Sequence, residues 1–251
     1  LLNDNVITTA DGSGITAYDG AIVEANRNII SGAAEGSGFG IRSSSVIAND
    51  NTIGPIGGWN GLWIYGTSDV VAENNTIQDT AKEAVLIGEY HFNDQGWNVP
   101  TPTAARLYLA NNQISNNTGT CNSQMYDGDF PCPAIHVFMS SATIYDNTVT
   151  NNGGDGMRIK GSIVNAQRNT MEVSGFAANI SMFDDNYGNK YGSIAYFSGN
   201  SYSNASQIYN ITESRVTVQS EYIPDAGGNE LYPVQLSWLG PECPYVLDEC
   251  L

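Results

Sequence analysis

The sequence predicts an all-β solenoid, a parallel β-helix, and three observations indicate that fold class. First, an asparagine followed two places later by an apolar residue recurs at Asn5, Asn28, Asn51, Asn75, Asn112, Asn147, Asn169 and, weakly, Asn200. Four of the seven spacings are 22 to 24 residues, and the other three exceed that period by an insertion. Second, alternating apolar pairs flank these asparagines, which indicates short strands with one buried face. Third, glycine, asparagine, serine and threonine crowd every segment, and this composition disfavours helix.

Each repeat of about 23 residues supplies three strands, the first of which begins at the recurrent asparagine. A second alternating pair follows most asparagines: Ile15/Ala17, Leu62/Ile64, Val85/Ile87, Ile135/Val137, Met157/Ile159 and Ile180/Met182. A third pair precedes the next asparagine: Val23/Ala25, Val46/Ala48, Val70/Ala72, Leu107/Leu109, Ala142/Ile144, Val164/Ala166 and Ala195/Phe197. Three strands per coil can lie parallel on those of the coil before, about 4.8 Å away. The asparagines can then stack as a ladder of hydrogen-bonded amides at one corner of the coil. Such corners often need a left-handed backbone conformation, which asparagine tolerates.

Two segments carry a family resemblance. NNTIQDTAKEAVLIG and DNTVTNNGGDGMRIKG follow the pattern N-x-[IV] and then G-[IVL]-x-[IV], and across residues 3–202 the chain resembles the right-handed parallel β-helix superfamily, the pectate-lyase-like and NosD-like group. The resemblance implies a right-handed coil. It leaves function open, because this superfamily includes lyases, hydrolases, epimerases, adhesins and inert spacers.

The domain prediction is that residues 1–202 form the coils and that 203–251 carry the last strand or strands and an irregular C-terminal cap. Val216 and Val218 mark one further strand, and the cap carries Cys243 and Cys250. A cap is expected because the end of a solenoid exposes unpaired strand edges. Since the chain starts in mid-repeat, we expect it to be part of a longer polypeptide.

Composition excludes several classes of partner. The chain of 251 residues has 26 acidic and 9 basic side chains, a formal net charge of −17. That balance argues against nucleic acid and anionic membrane surfaces, which need a basic stripe. No apolar stretch approaches the roughly 18 residues of a membrane span, so the sequence predicts a soluble chain without membrane insertion.

The cysteines and sequons predict an exported protein, at the cell surface or outside the cell. Two short-loop disulfides, Cys121–Cys132 and Cys243–Cys250, imply an oxidising compartment. Zinc is disfavoured because neither cysteine spacing is C-x-x-C and the chain has only two histidines. Candidate N-glycosylation sites occur at Asn74, Asn116, Asn179, Asn204 and Asn210.

Three insertions, 88–104, 115–133 and 184–192, are predicted to border the second sheet and to form a groove over it. Alternation predicts two outward rows on that sheet without a carboxylate: Arg42, Trp63, Leu86, His136, Arg158 and Ser181, and beside them Tyr65, Gly88, Phe138, Lys160 and Phe183.

The groove is predicted to bind an anionic chain such as a uronate-containing or sulfated polysaccharide. The candidate binding residues are Arg42, Trp63, Tyr65, Phe138, Tyr90 and His91, whose rings could stack on sugars. Elimination at a uronate needs a cation, a base and an acid. Arg158 and Lys160 are candidates for the first two roles, and His136, Tyr90 or His91 for the third. The alternative interpretation is surface decoration, with the cations paired to loop carboxylates such as Asp155 or Asp184.

Calcium is the one cofactor that the sequence suggests, because Asp184 and Asp185 begin an oxygen-rich turn. The favoured function is an exported carbohydrate-binding or adhesion domain. The first alternative is a polysaccharide lyase, hydrolase or epimerase, and the second is a rigid spacer or filament segment that associates end to end along the coil axis.

Overall fold

A computed structural model describes residues 1–8, 11–88, 90–92, 98–100, 105–121, 130–184, 190–205, 207–212, 214–219 and 234–236. Among these residues there is no helix, and three long sheets account for most of the strands. Each coil visits the three sheets in turn, and neighbouring coils pair in parallel. The predicted parallel β-helix solenoid is therefore confirmed.

The three sheets have these strands. The first contains Val6–Thr8, Ile29–Ser31, Thr52–Ile53, Thr76–Gln78, Gln113–Ser115, Thr148–Asn152, Thr170–Val173 and Ser201–Ser203. The second contains Ile15–Tyr18, Phe39–Arg42, Leu62–Tyr65, Val85–Ile87, Ile135–Phe138, Met157–Lys160, Phe176–Ser181 and Gln207–Thr212. The third contains Ile22–Asn26, Ser45–Asn49, Asp69–Glu73, Arg106–Ala110, Ser141–Tyr145, Ile163–Gln167, Ile194–Ser198, Arg215–Gln219 and the antiparallel Val234–Leu236.

One apolar core runs through the coils, and the predicted inward pairs line it with one exception. In the strand Phe176–Ser181, the inward residues are Ala178 and Ile180, which pair with Met157 and Ile159. Ile180 points inward as predicted, but its inward partner is Ala178 and not Met182. The prediction missed Ala178 because a larger apolar side chain was expected at the position that pairs with Met157.

The asparagine ladder forms as predicted. In each step the side-chain amide of one asparagine donates to Oδ1 of the next at 2.9 to 3.0 Å, from Asn5 to Asn200. The left-handed residue is not the ladder asparagine but the one before it, for example Arg27 at φ 56° and Asp146 at φ 54°. The side chain of the ladder asparagine points into the coil, so the residue before it adopts the left-handed conformation that turns the backbone at the corner.

A serine ladder marks the corner between the second and third sheets, and the sequence analysis missed it. Its members each precede a third-sheet strand by one residue: Ser44, Ser68, Ser140, Ser162, Ser193 and Ser214. Backbone N–H groups donate to the hydroxyl of the next coil, as from Ser162 to Ser193 at 3.2 Å. The signal was present in the sequence as a recurrent serine.

Parallel strands continue past residue 202, since Gln207–Thr212 and Arg215–Gln219 stack on the preceding coil. Val216 and Val218 are both buried in the second of these strands. Cys243 and Cys250 lie outside the described residues. No helix in the described part of the chain is long and apolar enough to cross a membrane.

Candidate functional site

The three insertions form two-stranded antiparallel ribbons next to second-sheet strands. They pair Tyr90–Phe92 with Asn98–Pro100, Thr120–Cys121 with Phe130–Pro131, and Phe183–Asp184 with Lys190–Tyr191. Each ribbon precedes or follows a strand of that sheet, and residues of two of them, Phe130 and Phe183, contact its outward side chains.

Strand register determines the two outward rows of the second sheet. One row contains Gly40, Trp63, Leu86, His136, Arg158, Asn179 and Asn210, and the other contains Tyr18, Arg42, Tyr65, Phe138, Lys160, Ser181 and Thr212. The predicted rows were wrong at their ends. Arg42 lies beside Tyr65 rather than Trp63, and Ser181 lies beside Lys160, because both strands are shifted by two residues from the predicted alignment.

Arg158 and Lys160 point outward, as the sequence predicts, and the structure shows that both are half-buried. The Arg158 guanidinium lies 4.1 Å from the ring centre of Phe130, on the disulfide-bearing ribbon. The Lys160 ammonium lies 5.5 Å from the ring centre of Phe183, on another ribbon. Both cations therefore sit against aromatic walls that the insertions provide.

Arg42 is ion-paired rather than poised for a ligand. Its guanidinium lies 2.8 Å from a carboxylate oxygen of Asp19 and 5.2 Å from the ring centre of Tyr18. The predicted rows did not include the Asp19 carboxylate, because Asp19 follows the end of its strand. The alternation of inward and outward side chains does not extend to that corner. For Arg42, the surface-decoration interpretation matches the geometry.

His136 differs most from its prediction. Its side chain is on the outward side of the sheet but is 0% exposed. Its Nδ1 lies 3.5 Å from Oε1 of Glu83, which is only 2% exposed. The expectation of an open imidazole without a carboxylate neighbour was wrong, because Glu83 precedes its strand by two residues and reaches the adjacent coil. A ligand on the outer face of the second sheet could not touch this ring without displacing its cover.

Phe138 is also buried, which corrects its predicted role as a sugar platform. It packs edge-on against Phe183 with ring centres 5.0 Å apart, in a cluster with Met139 and Tyr191. The ribbon that carries Phe183 and Tyr191 covers it, so Phe138 supports that ribbon.

A disulfide joins Cys121 and Cys132, as predicted, with the Cα atoms 5.0 Å apart. Sγ of both cysteines and a carboxylate oxygen of Glu83 lie within 4.8 Å of one another, and all three residues are buried. Asn60 donates from Nδ2 to Oε2 of Glu83 at 2.8 Å. Sequence reasoning did not identify Asn60 or Glu83, since neither matches a spacing motif.

Burial lowers the pKa of His136, and the positive charges of Arg158 and Lys160 lower it further, while the hydrogen bond and charge of Glu83 oppose the shift. The desolvation cost is the largest of these contributions, so folding lowers the pKa of His136 and favours the neutral imidazole.

We expect the free energy of unfolding to fall as pH drops below 6.5, because the unfolded chain then protonates a histidine that the folded chain keeps neutral. The loss of unfolding free energy is at most about 1.4 kcal/mol per pH unit, the limit for one proton. Urea unfolding at pH 7.5 and 5.5 measures it. His136→Asn should remove this pH dependence and His91→Asn should retain it; the same dependence in both variants would contradict the assignment.

Three aromatic rings lie next to one another farther along the face: Trp59 and Trp63 are tilted by 35°, and Trp63 and Tyr65 are stacked at 26°. Ring centres are 5.1 Å apart for Trp59 and Trp63, and 4.6 Å apart for Trp63 and Tyr65. Lys82 places its ammonium 4.6 Å from the centre of Trp59. Tyr65 is mostly covered, whereas Trp59 and Trp63 are half-buried. Trp59 and Lys82 were missed, although the aromatic-rich segment WNGLWIY was visible in the sequence.

The remaining candidates are placed in part. The side chains of Tyr90, His91, Asp184 and Asp185 lie outside the described residues, so the calcium prediction stays a prediction. Of the sequons, Asn74, Asn116 and Asn204 are exposed at corners. Asn179 and Asn210 instead lie in the outward row and hydrogen-bond to each other, from Nδ2 of Asn210 to Oδ1 of Asn179 at 3.2 Å.

Asp155 is engaged with backbone and amide groups. It accepts from the Phe176 N–H at 2.9 Å and from Asn179 Nδ2 at 3.2 Å. These bonds join the start of one second-sheet strand to the next coil, so Asp155 has a structural role.

With this geometry established, comparison with known proteins finds no match to any family model, any curated protein or any solved structure.

Proposed function

We propose that the chain is an exported or cell-surface β-helix domain that binds an acidic polysaccharide across the outer face of its second sheet. The observation that carries this proposal is that the neighbouring rings of Trp59 and Trp63 and the cations Arg158 and Lys160 lie on one face of the second sheet. Their strands are three steps apart, about 14 Å at the usual strand spacing.

The two groups supply complementary chemistry for a charged sugar chain. Half-buried indole rings offer apolar faces for the C–H faces of sugars. Arg158 and Lys160 offer positive charge to a carboxylate or sulfate. Because the whole chain carries −17, a polyanion would be repelled elsewhere, so a local basic group is required where it binds.

Location and family belong to the same proposal. The Cys121–Cys132 disulfide is compatible with an extracellular site, and exposed sequons at Asn74, Asn116 and Asn204 suit export. The three-sheet coil with its asparagine ladder supports membership of the right-handed parallel β-helix superfamily.

Binding assays with a panel of acidic and neutral polysaccharides test the function. We expect Trp63→Ala and Arg158→Ala each to weaken binding of an acidic polysaccharide at least about tenfold, the scale of one lost stacking or charged contact. Arg106→Ala is the matched control, since it removes the same charge from the third sheet, where Arg106 pairs with Asp69.

Equal affinity in all four proteins, or binding of none of the panel, would overturn the proposal. Chain-length analysis of the same samples tests the enzymatic alternative. Shortened chains with unsaturated ends would indicate a lyase and saturated ends a hydrolase.

A further inference from the structure

On the outer side of the second sheet lies a buried cluster of four metal-binding side chains of three types, Glu83, Cys121, Cys132 and His136, here called the Glu83 cluster. All four are at most 2% exposed. The two Sγ atoms and a Glu83 oxygen lie within 4.8 Å of one another. The His136 ring is not within that distance of all three, but its Nδ1 lies 3.5 Å from Glu83 Oε1. The polysaccharide proposal uses none of these atoms.

The donor types are those of a closed zinc site. Zinc in proteins is bound tetrahedrally by thiolate, imidazole and carboxylate at about 2.0 to 2.3 Å, which separates neighbouring donors by about 3.3 to 3.8 Å. The 3.5 Å separation of Glu83 and His136 already has that value. In the disulfide form the two sulfurs are bonded to each other, so neither is a thiolate ligand.

We propose that reduction of the Cys121–Cys132 disulfide converts the Glu83 cluster into a zinc site with two thiolates, one imidazole and one carboxylate. The sulfur–sulfur bond breaks and two thiols form, either as two thiol molecules give up two electrons and two protons and join in a disulfide, or as a phosphine gives up two electrons and becomes its oxide, with one water supplying the oxygen and the two protons. Zinc then replaces the two thiol protons, which pass to solvent.

Surrounding residues suit this second state. Asn60 donates to the Glu83 oxygen that does not face His136, and so orients the carboxylate, as partners of metal ligands commonly do. Two thiolates and one carboxylate with Zn²⁺ leave one net negative charge. Arg158 and Lys160 act electrostatically on His136 and would offset that charge.

Sequence spacing could not reveal this site, because its donors come from three places in the chain. Glu83 precedes one second-sheet strand, Cys132 and His136 flank the start of the next, and Cys121 is on the ribbon between them. Coil stacking and the ribbon bring them together.

The test uses the full chain, oxidised or reduced with a phosphine under anaerobic conditions, mixed with Zn²⁺ and desalted. We expect about one zinc per reduced chain and none per oxidised chain, with β-sheet circular dichroism retained. Co²⁺ in place of Zn²⁺ should give the thiolate-to-metal absorption of a tetrahedral site.

Paired variants locate the metal. Cys121→Ser with Cys132→Ser should abolish zinc retention, whereas Cys243→Ser with Cys250→Ser should leave it unchanged. Glu83→Gln keeps the side-chain shape and should weaken zinc binding at least about tenfold. Three results would each overturn the proposal: no zinc on the reduced chain, zinc retained without Cys121 and Cys132, or loss of β-sheet signal on reduction.

Discussion

Asn112→Ala is expected to lower the free energy of unfolding by about 3 to 4 kcal/mol, since each buried polar group left unsatisfied costs about 1 to 3 kcal/mol. Asn112 is fully buried in the middle of the ladder. Its Oδ1 accepts from the backbone N–H and Nδ2 of Asn75 at 2.8 and 2.9 Å. Its own amide donates to Oδ1 of Asn147 and to the carbonyl of Ala72. Alanine removes all of these bonds and leaves buried donors on the adjacent coil.

Urea unfolding of Asn112→Ala and the unchanged chain measures this loss. Asn165→Ala is the matched control, because Asn165 is on the outward face of the third sheet and its Oδ1 accepts a hydrogen bond from Gln167 Nε2 at 2.8 Å. Its effect should stay within about 0.5 kcal/mol. Equal unfolding midpoints for the two variants would show that the ladder does not stabilise the coils.

The fold could be predicted because its causes repeat. Every coil places an asparagine at the same corner and apolar pairs at the same offsets. A repeat that matches the pattern poorly can therefore still be aligned from its neighbours. The inward pairs of the third sheet follow this rule from Val46 to Phe197. The Cys121–Cys132 disulfide was predictable for a different reason, since both cysteines lie within one insertion.

The site was predicted less well because it depends on features that do not repeat. Alternation correctly turned Arg158 and Lys160 outward. It also turned His136 outward, yet the ribbons cover that side of the sheet and bury it. Glu83 was not placed beside His136 because it precedes its strand, where alternation gives no direction.

Gly88→Ala is the second large effect that we expect, and it connects the coil to the groove. Gly88 follows the strand Val85–Ile87 and begins the first insertion. Its φ is 115°, in a region that is essentially restricted to glycine. A Cβ there would lie 2.0 Å from the backbone oxygen of Phe138 and 2.9 Å from its carbonyl carbon. Because the obstacle is backbone of the next coil, side-chain rotation cannot relieve it.

We expect Gly88→Ala to lower the free energy of unfolding by about 3 kcal/mol or more. Backbone strain contributes about 1 to 3 kcal/mol and overpacking contributes about 1 to 3 kcal/mol. Gly12→Ala is the control, since a Cβ there would meet nothing within 4 Å. Its stability should stay within about 0.5 kcal/mol of the unchanged chain. Urea unfolding compares the two variants, and similar midpoints would contradict the close approach of Gly88 to Phe138. Phe138 supports the ribbon that carries Phe183, and Lys160 lies against Phe183. Gly88→Ala should therefore also weaken polysaccharide binding at temperatures where the variant remains folded.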